Sequence, residues 1–167
     1  MSYTKGYNPT INDMISLPRY GGATLNPSGE KLSYLIAKDD LNRNTTIVEQ
    51  FIFDRKKKQT YQLTHGGQSL NLQWIDDNKC ALRRIQPNST DGAQIYLYEL
   101  IGGEGVQITN HQGGINSFTV FAKGFVFQAK DYQKAEQIKR EKLSNYTHFE
   151  EEESTSGFFY VNLEKAL

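Results

Sequence analysis

Two stretches decide how this chain reads: Gln62-Leu63-Thr64-His65-Gly66-Gly67 and Gln107-Ile108-Thr109-Asn110-His111-Gln112-Gly113-Gly114. Each runs glutamine, apolar residue, threonine, then a histidine and a glycine pair. Thr64 and Thr109 stand 45 residues apart. Upstream, Gln50-Phe51-Ile52-Phe53-Asp54 is matched by Gln94-Ile95-Tyr96-Leu97-Tyr98, with Phe51 and Ile95 44 residues apart. A third element recurs as well. Residues 25–35 read as strand, Asn26-Pro27-Ser28-Gly29 turn, strand, and 74–82 and 118–127 repeat that form.

A period near 45 residues carrying four short strands is the pattern of a β-propeller blade. The strands themselves fit it. Ile95, Leu97 and Glu99 alternate with Tyr96, Tyr98 and Leu100, so both faces of that strand are largely apolar. Such a strand is expected between two packed sheets. Turn chemistry separates the strands at Asn26-Pro27-Ser28-Gly29, Asp76-Asp77-Asn78, Ile101-Gly102-Gly103-Glu104-Gly105 and Ala122-Lys123-Gly124. Gly and Asn tolerate positive φ there, and Pro presets φ. The expectation is an all-β chain, a partial propeller of about three four-stranded antiparallel blades. A lead-in covers 1–20, blade one 21–67, blade two 68–112, and an incomplete blade three 113–167 with an insertion at about 131–156. Helix formers within 131–143 predict a short helix in that insertion, with Asp131 as its cap and Glu136–Arg140 as an i,i+4 pair.

The 19 basic and 19 acidic side chains in 167 residues cancel. That balance argues against a broadly basic nucleic-acid binder or a polybasic membrane surface. No apolar run approaches the roughly 20 residues of a transmembrane helix, and residues 1–20 lack the apolar core of a secretory signal. The single cysteine, Cys80, excludes an internal disulfide and a multi-cysteine zinc site. A cytoplasmic setting is expected, and the chain reads as a piece of a longer protein.

The turn Asn26-Pro27-Ser28-Gly29-Glu30-Lys31 resembles that of tricorn-like and TolB-like propellers, and Leu63-Thr64-His65-Gly66-Gly67 is similar to their blade ending. With Ile11-Asn12-Asp13-Met14-Ile15-Ser16-Leu17 as lead-in, residues 11–167 resemble the N-terminal propeller of an acylaminoacyl-peptidase-like member of the prolyl oligopeptidase family. The resemblance implies a serine peptidase, a hydrolase, in which a propeller gates the access of peptide substrate to a separate α/β-hydrolase domain. No Gly-x-Ser-x-Gly elbow occurs in these residues, so no catalytic residue carries over. The expected role is a non-catalytic propeller segment. The alternative is a stand-alone TolB-like module that binds a protein or peptide. A small barrel or sandwich remains the other all-β solution and predicts a closed sheet.

No catalytic, cofactor or metal site is expected. His65 and His111 sit in equivalent blade-ending loops, with Ser69 and Ser117 just beyond them, so these four are the candidate rim contacts. A shared metal needs three or four convergent ligands, and the spacing offers no His-x-x-x-His pair. Polar loop residues are the simpler reading. Neither serine has a nucleophile's strained turn or a nameable base. Cys80 beside Ala81 and Leu82 reads as a buried, inert thiol. Gly102-Gly103-Glu104-Gly105 lacks a phosphate loop's lysine and reads as a hairpin turn. Arg55-Lys56-Lys57-Lys58 reads as a solvated hairpin tip, Glu150 to Glu153 as a solvated insertion, and the sequons at Asn44, Asn88 and Asn145 as chance.

Blades bury their faces against neighbours, so the first and last expose one face each. Phe51, Phe53, Tyr96, Tyr98, Phe125, Phe127, Phe158 and Tyr160 lie on strands expected to be at least half buried. Burying one such side chain contributes ~1.5–3 kcal/mol. Self-association into a homo-oligomer through the open blade faces is therefore expected.

Overall fold

A computed structural model describes residues 8–87, 89–90, 92–100, 104–132 and 155–166. Among the described residues the chain is all-β apart from short helical segments. Helix α1 (Ile11–Ile15) starts at a capping box: the Asp13 N–H donates to Thr10 Oγ1, and the Thr10 N–H donates to Asp13 Oδ2 at 2.8 Å. It buries none of its residues. The expected helix over 131–143 falls almost wholly outside the described residues. So do His148, the acidic run, Gly102, Gly103, and the sequon asparagines Asn88 and Asn145.

Among the described residues, eleven strands follow α1 in three antiparallel units. The first holds β1 (Arg19–Leu25), β2 (Lys31–Asp40), β3 (Thr45–Asp54) and β4 (Gln59–Gln62), paired in that order. The second holds β5 (Gln68–Trp74), β6 (Lys79–Ile85), β7 (Gln94–Glu99) and β8 (Val106–Gln107), again in order. The third holds β9 (Ile115–Phe121), β10 (Gly124–Lys130) and β11 (Ser156–Asn162), with β10 central, and α2 (Leu163–Ala166) follows. Units one and two meet through a single parallel bridge, Val48 to Gln68, where the Val48 N–H donates to the Gly67 carbonyl at 3.1 Å. The lower half of β3 pairs with β4 instead, so β3 is shared between the two neighbours. Among the described residues neither sheet closes on itself, so the barrel alternative is not formed.

The repeated threonine motif has a physical basis. The Gln50 N–H donates to Thr64 Oγ1 at 3.0 Å, and Gln62 Nε2 donates to the Thr64 carbonyl at 2.8 Å. One repeat later the Ile95 N–H donates to Thr109 Oγ1 at 2.9 Å, and Gln107 Nε2 donates to the Thr109 carbonyl at 2.8 Å. Both threonines are buried. The hydroxyl continues the strand ladder where β4 and β8 end, and the glutamine amide satisfies the carbonyl that leaves it.

Two apolar layers form between the units. Ile52, Leu72, Cys80, Leu82, Tyr96 and Tyr98 pack between units one and two. Ala81, Ile95, Leu97, Ile108, Ile115, Phe118, Phe125 and Phe127 pack between units two and three. Strands β6 and β7 therefore send alternate side chains into opposite layers, and β7 is buried from Gln94 to Tyr98. Phe158 and Tyr160 depart from the expected burial, at 80% and 50% exposed. They alternate along β11 with Phe159 and Val161, which pack inward, so they lie on the uncovered outer face of unit three. Tyr20, Tyr34 and Phe51 stack in series on the opposite outer face, that of unit one, at 6.5 and 5.7 Å between ring centroids.

The first hairpin turns of units one and two hydrogen-bond to each other. Asp77 Oδ1 accepts from Asn26 Nδ2 and from the Ser28 N–H, both at 2.9 Å, while Lys31 Nζ donates to the Asp77 carbonyl at 2.9 Å. The Ser28 backbone N–H holds the Asp77 carboxyl below the usual carboxylate range. The Lys57 N–H does the same for Asp54, and the Arg19 guanidinium for Asp39. Gly67 and Gly114 have φ of +70° and +82°. A Cβ on Gly67 would overlap the Ile85 carbonyl oxygen, and one on Gly114 would overlap the backbone at Gly92.

Two measurements check this account. Gly67→Ala is expected to cost about 3 kcal/mol in urea denaturation, because strain and overlap add. Gly29→Ala, at φ +70° but in open space, is expected to cost only about 1–2 kcal/mol. Groups with depressed carboxyl pKa stabilise the fold above the unfolded value of 3.8 and lose that contribution as pH falls through the folded value. The urea midpoint is expected to drop below about pH 4, and Asp77→Asn is expected to flatten that limb.

Candidate functional site

The loops joining one unit to the next lie at one end of the sheets. Glu49 and Gln94 tie the loops down. The equivalent bonds of the Gln50 and Ile95 N–H groups to Thr64 and Thr109 set the register of the units at 45 residues, so Gln94 corresponds to Glu49 and not, as the sequence match places it, to Gln50. Glu49 Oε1 accepts from the Gly66 N–H at 3.0 Å. Gln94 Oε1 accepts from Thr109 Oγ1 and the His111 N–H, and its Nε2 donates to the His111 carbonyl at 2.8 Å.

The four rim candidates from the sequence fall in unlike surroundings. The His65 side chain is exposed, and its carbonyl accepts from Arg84 Nη2 at 2.7 Å. The His111 ring instead packs among Phe159, Phe127 and Tyr132, at 5.0, 6.0 and 6.4 Å between centroids. Its Nδ1 lies 2.9 Å from the Gln112 carbonyl. Ser69 is wholly buried in β5, with its Oγ lacking a protein partner and its carbonyl accepting from Gln50 Nε2 at 3.1 Å. Ser117 is exposed on β9, with Oγ 3.5 Å from Gln128 Oε1. Among the described residues, no group of three or more His, Cys, Asp or Glu is placed to hold a metal ion. None of their helices is long and apolar enough to cross a membrane.

The chemistry missed in the sequence is a pair of arginines. Strand β6 runs Lys79-Cys80-Ala81-Leu82-Arg83-Arg84-Ile85, and its alternation sends the two guanidinium groups to opposite joints. Arg84, 9% exposed, donates to Tyr98 Oη at 2.6 Å and to the His65 carbonyl of unit one. Arg83 Nη1 donates to the carbonyls of Ile115 at 3.2 Å and Asn116 at 2.5 Å in unit three. Among the described residues neither arginine has a carboxylate within ion-pair distance. The Nε of each is buried without a partner. The available signal was two adjacent charges closing an otherwise apolar strand, since a buried charge demands a named partner.

A cleft of about 200 Å³ opens beside Arg83. Gln68 and Asn116 supply its other polar side chains, and Leu70, Ile85 and Ile115 its apolar wall. It lies between units two and three, where β5 and β9 begin and β6 ends, next to the Gly113 loop.

Cys80 is fully buried, and burial pushes its thiol up to about 12, with the Asp76 charge adding to the effect. A thiol in that state is a poor nucleophile. Native protein is expected to resist an aromatic disulfide reagent up to about pH 9 and to react fully in denaturant, as read by absorbance. Prompt stoichiometric labelling of folded protein would contradict this.

No family model and no curated protein sequence matches the chain. Among solved structures it is similar to the AtxE2 isopeptidase, in a Ser-to-Ala variant with Astexin3-dC4 bound, at TM-score 0.68 and 10% sequence identity. The match covers 93% of this chain and 30% of that one, so the chain spans less than a third of the isopeptidase chain it resembles. At that identity the likeness is one of fold.

Proposed function

We propose that this chain is a run of three β-propeller blades from a serine peptidase of the prolyl oligopeptidase type, and that it is itself non-catalytic. The observation that carries the reading is the likeness to an isopeptidase over 93% of the chain. The repeated units supply independent support. Their first strands lie side by side, β1 against β5 and β5 against β9, as inner strands do around a common axis. Equivalent positions also make equivalent bonds, with Thr64 and Thr109 the clearest case.

In this role the loops around His65, His111 and Gly113 line a rim facing a hydrolase domain that these 167 residues do not contain. Loops carried on a rigid scaffold are suited to screening peptide substrates by size and charge. Purified chain is expected to leave an acetyl-alanine nitroanilide unhydrolysed. Turnover blocked by a serine-directed inhibitor would overturn the non-catalytic role. The reading frame across codon 167 tests the parentage: further repeats of about 45 residues and a Gly-x-Ser-x-Gly elbow support a peptidase. A stop codon there would favour a TolB-like binding module instead.

The outer faces bear on the behaviour of the chain by itself. Phe121, Phe158 and Tyr160 are 60%, 80% and 50% exposed on unit three, and Tyr20 and Leu25 are 70% and 61% exposed on unit one. By repeat position these are the faces that pack together inside the molecule, so the 167-residue chain alone is expected to self-associate. Light scattering should show species heavier than the 19.1 kDa chain at micromolar concentration, and Phe158→Glu should shift them towards monomer. A clean monomer before substitution would refute it.

A further inference from the structure

We propose that the outer edge of β11 is a strand-acceptor site for an extended polypeptide segment that reads glutamine, then leucine or isoleucine, then threonine. Among the described residues β11 ends its sheet, beside β10 and then β9. Units one and two each carry a fourth strand at this position, β4 and β8.

The backbone of β11 presents the site. The Leu163 N–H donates to the Lys123 carbonyl and the Asp131 N–H to the Thr155 carbonyl, at 3.0 and 2.8 Å. Bonded pairs in an antiparallel ladder recur at every second residue, so Gly157, Phe159 and Val161 turn their backbone groups to β10. Those of Phe158 and Tyr160 therefore face outward. Residues 156–162 include no charged residue and no proline, the devices that protect a sheet edge. The outermost strands of units one and two are short instead, four and two residues against seven in β11.

The repeat specifies the occupant. Gln128 lies 45 residues beyond Arg83, and their ladder partners are Phe158 and Ile95. Phe158 thus stands where Ile95 stands in unit two, and where Gln50 stands in unit one. At those two positions the same bonds hold the fourth strand. The Gln50 and Ile95 N–H groups donate to the hydroxyls of Thr64 and Thr109, at 3.0 and 2.9 Å. Their carbonyls accept from the N–H groups of Leu63 and Ile108, both at 2.8 Å. An incoming threonine meets the Phe158 N–H in the same way, and the apolar residue before it meets the Phe158 carbonyl. Ile108 packs in the layer between units two and three. Its counterpart on β11 lies over the outer face beside Phe158, which is 80% exposed. Backbone bonds give such a site its affinity, and the threonine and apolar residue give it a sequence preference.

This inference rests on the repeated hydrogen bonds and needs no hydrolase domain, so it stands or falls apart from the peptidase reading. The test follows amide signals and hydrogen exchange in the 167-residue chain labelled with nitrogen-15. The probe is the capped peptide Gln-Thr-Tyr-Gln-Leu-Thr-His-Gly-Gly, which copies residues 59–67. The Phe158 and Tyr160 amides are expected to exchange readily in the chain alone and to shift saturably with the peptide. At saturation they are expected to exchange about tenfold more slowly or beyond, while Phe159, already bonded to β10, changes little. A peptide with valine for the threonine is expected to bind about tenfold more weakly, because the Phe158 N–H then lacks its acceptor. A scrambled peptide of the same composition is expected not to bind. Phe158→Pro deletes the outward donor without removing a bond to β10 and is expected to abolish binding. Where that variant does not fold, the valine peptide on unaltered protein decides the matter. Slow exchange at Phe158 and Tyr160 before peptide is added, no saturation, equal binding of the valine or scrambled peptide, or protection confined to other residues overturns the proposal.

Discussion

The middle unit has no free face. Along β6 and β7, Cys80, Leu82, Tyr96 and Tyr98 fill one layer while Ala81, Ile95 and Leu97 fill the other. A sheet with two apolar faces has no stable exposure to water, so units one and three must both be in place before unit two buries its surface. The other features follow from that demand. The connecting loops must pass close to the neighbouring hairpin, hence glycines at positions 67 and 114 where a Cβ would overlap backbone. Every strand end brought indoors needs its polar groups met, hence the buried hydroxyls of Thr64 and Thr109.

Much of this was legible in the residues. The period of 45 between Thr64 and Thr109 marks the ends of equivalent units, because one hydrogen-bond pattern is made twice. The alternation in 95–100 announced a strand buried on both faces, since no other side-chain pattern requires it. Turn chemistry at Asn26 and Asp76 placed the first hairpins, although the bonds between those two turns depend on how the units stack, which no local pattern encodes. Phe158 and Tyr160 misled for the same reason. Their alternation with Phe159 and Val161 reads as a strand sandwiched between sheets, and it cannot say that one face lacks a covering partner among the described residues.

The candidate site was much less legible. Equivalence in sequence brought His65 and His111 to mind together, yet one imidazole is exposed and the other is wedged among aromatic rings that unit three alone supplies. Equivalence fails there because the third unit differs from the first two. Arg83 and Arg84 looked like an ordinary charged end of a strand. Their importance comes from period-two alternation acting inside a stack: a charge on either face of an inner strand points into a joint instead of into solvent. Composition does not disclose that.

Between units two and three a backbone bond runs from the Ile115 N–H to the Ala93 carbonyl at 2.7 Å, and further along β9 a side chain continues the join. Gln73 Nε2 donates to the Phe118 carbonyl at 2.7 Å, and Gln73 Oε1 accepts from the Val120 N–H at 3.0 Å. The amide thus imitates a peptide group against the free edge of β9. Groups two residues apart on a strand share an edge, whereas a one-residue slip turns that edge's donor and acceptor away. A chain assembled from near-copies faces the hazard of docking the wrong copy or the right copy out of step. At this joint the Gln73 amide matches β9 in one alignment, and a slip of one residue would leave both ends of the amide without their partners.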